Sequence, residues 1–446
     1  MLLVCDSPVL LFMHGLILDI KQLFITHRGK ITDNRQTIRS IAALFGGNMM
    51  SSVLGAVGGV LVARFIGPDV AGLFRAYTIP LMYLTFLHLG TFDGLWRQIP
   101  YYVGKEMPEK VEALASSAAA WNLLMSLIVS LGFIACALYS LLQGSWFGVA
   151  GWLAQMLCCW GIFYGGYLGA TYRTINQFVS LARIQLVQSV LNFGMILFIP
   201  FLGFYGLCVR SAVPSVAGVW LYHRARPLKI IYRFDRKALT EVIEIGLPFS
   251  FWGSLYTSIW TATESALMLY FGGVKGLGLF SVAVVIREGL NVLPQSVYQV
   301  MTPRVVEAYA REGSVRNANA RSLWLTAGLT GFMVLVTIIA SFTLDVLVPL
   351  VLPKYVEGIP LMKVCLWFAV IQAASLPLNT IFATGRSWLH GRGVIVGLAV
   401  FPLAAYILTP LLGGVLAVAI GSLLGRTART IAAYLEIALL VKHEPI

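Results

Sequence analysis

Long apolar segments alternate with short polar connections along nearly the whole chain. Each segment is close to the roughly 20 residues that a helix needs to cross a bilayer. The pattern therefore predicts an all-α polytopic membrane protein with about 12 transmembrane helices. The predicted spans are 41–64, 71–96, 112–142, 147–169, 178–200, 203–222, 242–271, 276–301, 322–343, 359–385, 393–409 and 413–440.

Composition supports the same class of protein. Hydrophobic residues make up 58% of the 446 residues and charged residues only 11%. Soluble domains are about one quarter charged, so water cannot be the solvent for most of this surface. Little chain remains outside the predicted spans, which leaves no room for a separate soluble domain.

The net charge of +13 is unevenly distributed. Nearly all basic residues fall on one set of alternate connections, including the stretch HRARPLKIIYRFDRK at 223–237, whereas the other set holds only Arg64, Lys275 and Lys354. Positive loops stay in the cytoplasm, so both termini are expected there, in the cytoplasmic membrane of a bacterium or archaeon. The basic stretch is interpreted as an anchor on anionic membrane lipids rather than a nucleic-acid site, with binding of a partner enzyme as the alternative.

Two similar phrases divide the chain. FIGPDVAGLF at 65–74 and FGGVKGLGLF at 271–280 align when the chain is shifted by about 206 residues, which places Gly67 on Gly273 and Gly72 on Gly278. Such self-similarity is typical of transporters built from repeated bundles. It predicts the following domains: an N-terminal segment 1–40, an N-lobe 41–222, a basic linker 223–241, a C-lobe 242–440 and a C-terminus 441–446.

The N-terminal segment contains an apolar stretch at 8–25 that His14, Asp19 and Lys21 interrupt. It lacks the basic start of a cleavable signal peptide, and its apolar residues fall on one face at helical spacing. An interfacial helix is the favoured interpretation. A thirteenth span and a misassigned start codon are the alternatives.

Isolated polar and special residues have mostly structural interpretations. The six cysteines lie in apolar runs without metal-ligand spacing, which predicts packing residues and neither a metal site nor a cofactor. His88 is interpreted as a packed histidine. Pro248 is expected in the first turn of span seven, and Pro80 and Pro294 are expected to kink the equivalent spans two and eight.

Five charged residues within spans are candidates for a substrate cavity: Arg75, Glu264, Arg287, Arg426 and Arg429. A mid-membrane charge is costly, so it normally faces a cavity or a partner. For Arg75 the alternative is snorkelling to the interface, and for Arg287 it is an ion pair with Glu264. Arg426 and Arg429 lie one turn apart, and their alternative is a salt-bridge network with Glu436. Because arginines outnumber carboxylates, the pattern favours a phosphate or diphosphate ligand.

The stretches ARFIGPDVAGLF (63–74), YLTFLHLGTFDGLWRQIPYYVGKE (83–106) and GLPFSF…GGVKGLGLFSVA (246–283) resemble the polysaccharide and O-antigen flippases. These belong to the multidrug/oligosaccharidyl-lipid/polysaccharide exporter superfamily. The resemblance covers roughly residues 40 to 440. It implies two six-helix lobes around a cavity lined by helices one, two, seven and eight.

The resemblance also implies the function. The expected activity is translocation of an undecaprenyl-diphosphate-linked oligosaccharide from the cytoplasmic to the periplasmic leaflet, in polysaccharide biosynthesis. Coupling to sodium, protons or membrane potential is expected across the superfamily, and polysaccharide assembly enzymes are expected partners. A cation-coupled multidrug exporter is the main alternative. A glycan polymerase or ligase is disfavoured because no paired carboxylates or catalytic triad appear, so no catalytic residues are expected.

Overall fold

The computed structural model describes residues 31–228, 233–312, 314–384 and 386–442. The apolar stretch 8–25 and part of the basic linker lie outside the described residues. Within the described ranges the chain is helical and contains no strand. The helices are α1 Ile31–Phe65, α2 Pro68–Leu84, α3 Thr91–Gly104, α4 Pro108–Leu142, α5 Trp146–Trp160, α6 Gly166–Thr174, α7 Phe178–Gly194, α8 Ile199–Leu202, α9 Phe204–Arg224, α10 Arg236–Ser254, α11 Trp260–Glu312, α12 Val315–Val351, α13 Ile359–Ala374, α14 Leu378–Ala383, α15 Ser387–Leu412 and α16 Gly414–Lys442.

The prediction of a polytopic all-α membrane protein is confirmed. Ten of the described helical segments are long and apolar enough to cross a membrane. One of them, Ser250–Tyr298, is bent at Gly273 and provides two crossings, and the shorter apolar helix Met49–Phe65 provides another. A layout of twelve helices in two lobes therefore fits the described residues. We use "first half" for residues 31–224 and "second half" for residues 236–442.

The repeated phrases coincide with equivalent helix breaks. Gly67 is extended, with φ −84° and ψ 168°, and α2 starts at the next residue because Pro68 suits the first turn of a helix. Gly273 has φ 60° and ψ −165°, a conformation that favours glycine, and it separates spans seven and eight within α11. Both breaks fall where the 206-residue shift places them.

The repeat also forms a reciprocal contact between the halves. A Cβ atom added at Gly72 would lie 1.8 Å from the carbonyl oxygen of Val274, and one added at Gly278 would lie 1.8 Å from that of Pro68. Pro68 and Val274 are themselves separated by 206 residues, so the two contacts are equivalent. Backbone meets backbone here because neither glycine has a side chain.

A second contact between the halves lies among the basic connections. The carboxylate of Glu241 on α10 accepts hydrogen bonds from Tyr102 (2.6 Å) and Lys110 (2.9 Å) of the first half. The hydrogen bond from the Tyr102 hydroxyl lowers the pKa of Glu241 below its usual range, and the Lys110 ammonium lowers it further. The start of α10 is fixed locally, since Asp235 caps it by accepting from Lys237 N at 2.8 Å.

Several local predictions need correction. Helix α1 includes the predicted span 41–64, and α12 extends to Val351, so the gap between the predicted spans 322–343 and 359–385 is mostly helical. Pro248 lies inside α10, not in a first turn, because α10 starts at Arg236. Span two is interrupted at Leu89 and Gly90, both with positive φ, after Pro80. Pro294 lies inside α11 with helical dihedral angles, and the kinks expected at the two prolines stay predictions.

Candidate functional site: a cavity between the halves and a buried charge cluster

A cavity of about 260 Å³ lies between the two halves. Spans one, two and six line it from the first half, and span eight and Tyr355 line it from the second. Among the residues that the structure describes, its charged lining residues are Arg75 and Arg210, with no carboxylate. The remaining lining is largely apolar, with Thr78 and Ser281 as small hydroxyl groups. The cavity can therefore receive an amphipathic molecule that carries a negative group.

Arg75 reaches across the interface between the halves rather than out to a membrane surface. Its Nη2 donates to the Ser265 hydroxyl at 3.4 Å, and its guanidinium carbon lies 5.7 Å from the ring centre of Phe280. The Nε of Arg75 is buried and has no hydrogen-bond partner. Part of this guanidinium's donor capacity is thus left for a ligand.

Arg210 also lines the cavity, although the sequence did not predict it there. Its Nε donates to the backbone oxygen of Asn192 at 3.3 Å, which holds the side chain in place. It stands on α9, in span six, outside the four helices that the resemblance implies. Its position inside an apolar span was the signal that could have identified it.

The other four candidate residues lie together in the second half. Glu264 is 1% exposed and accepts from Arg426 Nη2 at 3.2 Å and from Arg287 Nη1 at 3.4 Å. Ser422 donates to the same carboxylate. Arg287 also pairs with the half-exposed Glu288 at 3.1 Å. The ion pair between Arg287 and Glu264 is therefore present, and the cavity lining described above does not include them.

Aromatic side chains enclose these charges. Tyr256 accepts from Arg426 Nη1 at 3.2 Å, and the guanidinium of Arg429 stacks 3.7 Å from the centre of its ring. The ring centre of Phe368 lies 5.1 Å from the guanidinium carbon of Arg287 and 5.3 Å from that of Arg426. Tyr256 belongs to a single π-helical turn, Leu255–Ile259, an irregularity that often accompanies functional sites. No sequence pattern indicated this turn.

The expected network with Glu436 is wrong. Glu436 pairs with Arg392 at 2.9 Å, whereas Arg426 pairs with Glu264. Spacing along α16 could not reveal this, because the preferred carboxylate comes from a helix about 160 residues away in sequence.

The interpretation of His88 as a packed histidine is confirmed. His88 is buried, stacks on Phe92 and accepts a hydrogen bond from Gly90 N at 3.0 Å. Among the described cysteines, Cys159, Cys208 and Cys365 are buried, as expected of packing residues, whereas Cys136 is exposed.

The described helices form a multi-pass membrane protein, and their fold is similar to that of transporters of the MOP superfamily. Similar solved structures include an inward-facing multidrug resistance transporter of the MATE family of that superfamily, which is 16% identical and covers 88% of this chain and 96% of its own, with a TM-score of 0.72. An outward-facing structure described in the same words is 18% identical and covers 91% and 96%, with a TM-score of 0.61.

A third similar structure is a MOP superfamily transporter from Pyrococcus furiosus, described as having a binding pocket of reverse polarity that suggests a different function. It is 16% identical and covers 90% of this chain and 94% of its own, with a TM-score of 0.61. No family model and no curated protein matches the sequence. The structures of the MATE family in the two conformations are described as multidrug resistance transporters.

Proposed function

We propose that this protein is an alternating-access exporter of the multidrug type, with a preference for amphipathic molecules that carry a negative group. The fold shared with MATE transporters along 88% of the chain supports transport. The cavity between the halves supports the cargo class, because its two charged lining residues, Arg75 and Arg210, are both arginines. A cavity for cationic compounds would present carboxylates instead.

The proposed cycle rocks two lobes, with the boundaries predicted from the sequence, about the cavity. The Gly72–Val274 and Gly278–Pro68 contacts then close one side and separate when that side opens. We propose that both termini are cytoplasmic and that the basic connections face the cytoplasm.

Transport into proteoliposomes tests this proposal. The purified protein is reconstituted, and uptake of an anionic amphipathic dye is compared with uptake of ethidium under sodium, proton or potential gradients. We expect uptake of the anionic dye under one of these gradients and little uptake of ethidium. Uptake of ethidium alone, or of neither dye under any gradient, would refute the proposed cargo class.

Flipping of an undecaprenyl-diphosphate-linked oligosaccharide is the second candidate function. The absence of carboxylates from the cavity lining favours it, since a diphosphate is an anionic head group on an apolar tail. In this case Arg75, Glu264, Arg287, Arg426 and Arg429 form the proposed substrate path, and polysaccharide assembly enzymes are the proposed partners. A labelled lipid-linked glycan in the same proteoliposomes distinguishes the two functions, because only a flippase moves it between leaflets.

A further inference from the structure

Arg429 is a buried cation without a counter-ion. Arg429 is 5% exposed, and no carboxylate among the described residues lies within 4 Å of its guanidinium. Its Nε is buried and has no hydrogen-bond partner. The close contact is the Tyr256 ring, whose centre lies 3.7 Å from the guanidinium carbon. A stacked ring stabilises a cation but accepts none of its N–H hydrogens.

The charge balance of the surrounding cluster is positive. Arg287, Arg426 and Arg429 are each largely buried, and in the described part of the chain their carboxylate partners are the buried Glu264 and the half-exposed Glu288, which pairs with Arg287. Glu264 is shared by the first two arginines, which leaves Arg429 uncompensated. A charge buried away from water is costly unless it is paired. The cluster therefore lacks a negative group beside Arg429.

The groups around Arg429 can complete an anion site. The Nε of Arg426 is also buried without a partner, and the hydroxyl of Tyr256 lies 3.2 Å from Arg426 Nη1. Guanidinium N–H groups and phenol hydroxyls are all hydrogen-bond donors. The ring centres of Trp260 and Phe368 lie 5.0 Å and 5.3 Å from the guanidinium carbon of Arg426. Because aromatic rings crowd these guanidinium groups, a small anion suits the site better than a bulky one.

We infer that the second half contains an anion-binding site at Arg429, Arg426 and Tyr256, and that its ligand is a small inorganic anion of the halide class. The site is separate from the cavity at Arg75 and Arg210. It does not depend on the proposed function, since the bound anion compensates a buried charge whether or not the protein transports that anion.

Thermal unfolding in detergent tests the site. The unfolding temperature, Tm, is measured while chloride replaces gluconate at constant sodium concentration and ionic strength. We expect the Tm of the unmodified protein to rise with chloride and to saturate, because a ligand that binds the folded state stabilises it. Arg429→Gln should abolish this dependence. In gluconate it should melt no lower than the unmodified protein, since it removes an uncompensated charge.

Two control variants separate the anion site from general effects of charge. Arg392→Gln removes an exposed arginine from the same region, and Arg75→Gln removes the cavity arginine; both should retain the chloride dependence. A purely structural role of Arg429 would instead lower Tm equally in both salts. Equal Tm values in chloride and gluconate for the unmodified protein would overturn the inference.

Tyr256→Phe provides a second test in case Arg429→Gln does not fold. Loss of one hydroxyl donor should raise the half-saturating chloride concentration by roughly 2- to 10-fold. Diffraction from crystals soaked in bromide should show an anomalous peak between Arg426 and Arg429. An unchanged half-saturating concentration together with no peak there would also refute the site.

Discussion

Glu264 is the residue on which the buried cluster depends. Glu264→Gln would leave Arg287 and Arg426 without their shared carboxylate, and breaking a buried ion pair costs about 3–5 kcal/mol. We expect a large fall in Tm in detergent. Glu357→Gln is the matched control, because Glu357 is 69% exposed in its pair with Lys275, and it should change Tm little. Equal effects of the two variants would show that Glu264 is not a structural centre.

Arg75 is the residue to test for cargo binding. Arg75→Gln removes a charged donor from the cavity, and hydrogen bonds to charged groups contribute about 1.5–3 kcal/mol, or roughly 10- to 100-fold in affinity. We expect a loss of that size in the apparent affinity for an anionic dye, with normal membrane levels and Tm. Arg392→Gln is the control and should transport normally. Unchanged affinity in Arg75→Gln would exclude Arg75 from the binding site.

At the scale of helices, the reciprocal glycine contact is the most sensitive packing feature. An alanine at position 72 would place its Cβ atom 1.8 Å from a backbone oxygen, so α2 and α11 would have to separate. We expect Gly72→Ala, and equally Gly278→Ala, to lower Tm and to favour a state open on that side. Labelling of a cysteine introduced in place of the buried Ile66 should then increase.

Gly67→Ala is the control for this contact. Position 67 lies in the same connection, its φ of −84° suits alanine, and nothing lies within 4 Å of the added atom. It should behave like the unmodified protein. If Gly72→Ala also left Tm and cysteine labelling unchanged, the contact between Gly72 and Val274 would not control closure.

The contact between α10 and the first half should respond to pH. The pKa of Glu241 is lowered by its bonds to Tyr102 and Lys110, so folding favours the ionised form. Its stabilisation is fully present above the ordinary glutamate pKa, about 4.3, and is lost as pH falls through the lower folded value. We expect Glu241→Gln to lower Tm at pH 7 and to have a smaller effect in acid. A constant difference in Tm across that range would contradict this assignment.

At the scale of the whole molecule, alternating access requires the halves to separate on each side in turn. Lys354 donates to the backbone oxygen of Phe65 at 3.2 Å, which joins the halves on the side of the repeated phrases. In a variant lacking its native cysteines, Phe65→Cys with Lys354→Cys should be cross-linked by a short bifunctional maleimide. Transport should then stop. Normal transport by fully cross-linked protein would rule out opening at this point.

Local patterns determined much of the architecture. Hydropathy identified the spans because a bilayer requires long apolar helices, and the repeat located the helix breaks at Gly67 and Gly273. The charged residues within spans could also be identified from the sequence, since each stands among apolar neighbours.

Only the tertiary structure decided the partners of those charges. Glu264 pairs with Arg426, which lies 162 residues away in sequence. Glu436 is closer to Arg426 in sequence but pairs with Arg392 instead. Helical periodicity specifies neighbours three or four residues apart and says nothing about which helix packs alongside. For the same reason, the uncompensated charge of Arg429 is visible only in the folded second half, and the reciprocal contact of Gly72 and Gly278 only where the two halves meet.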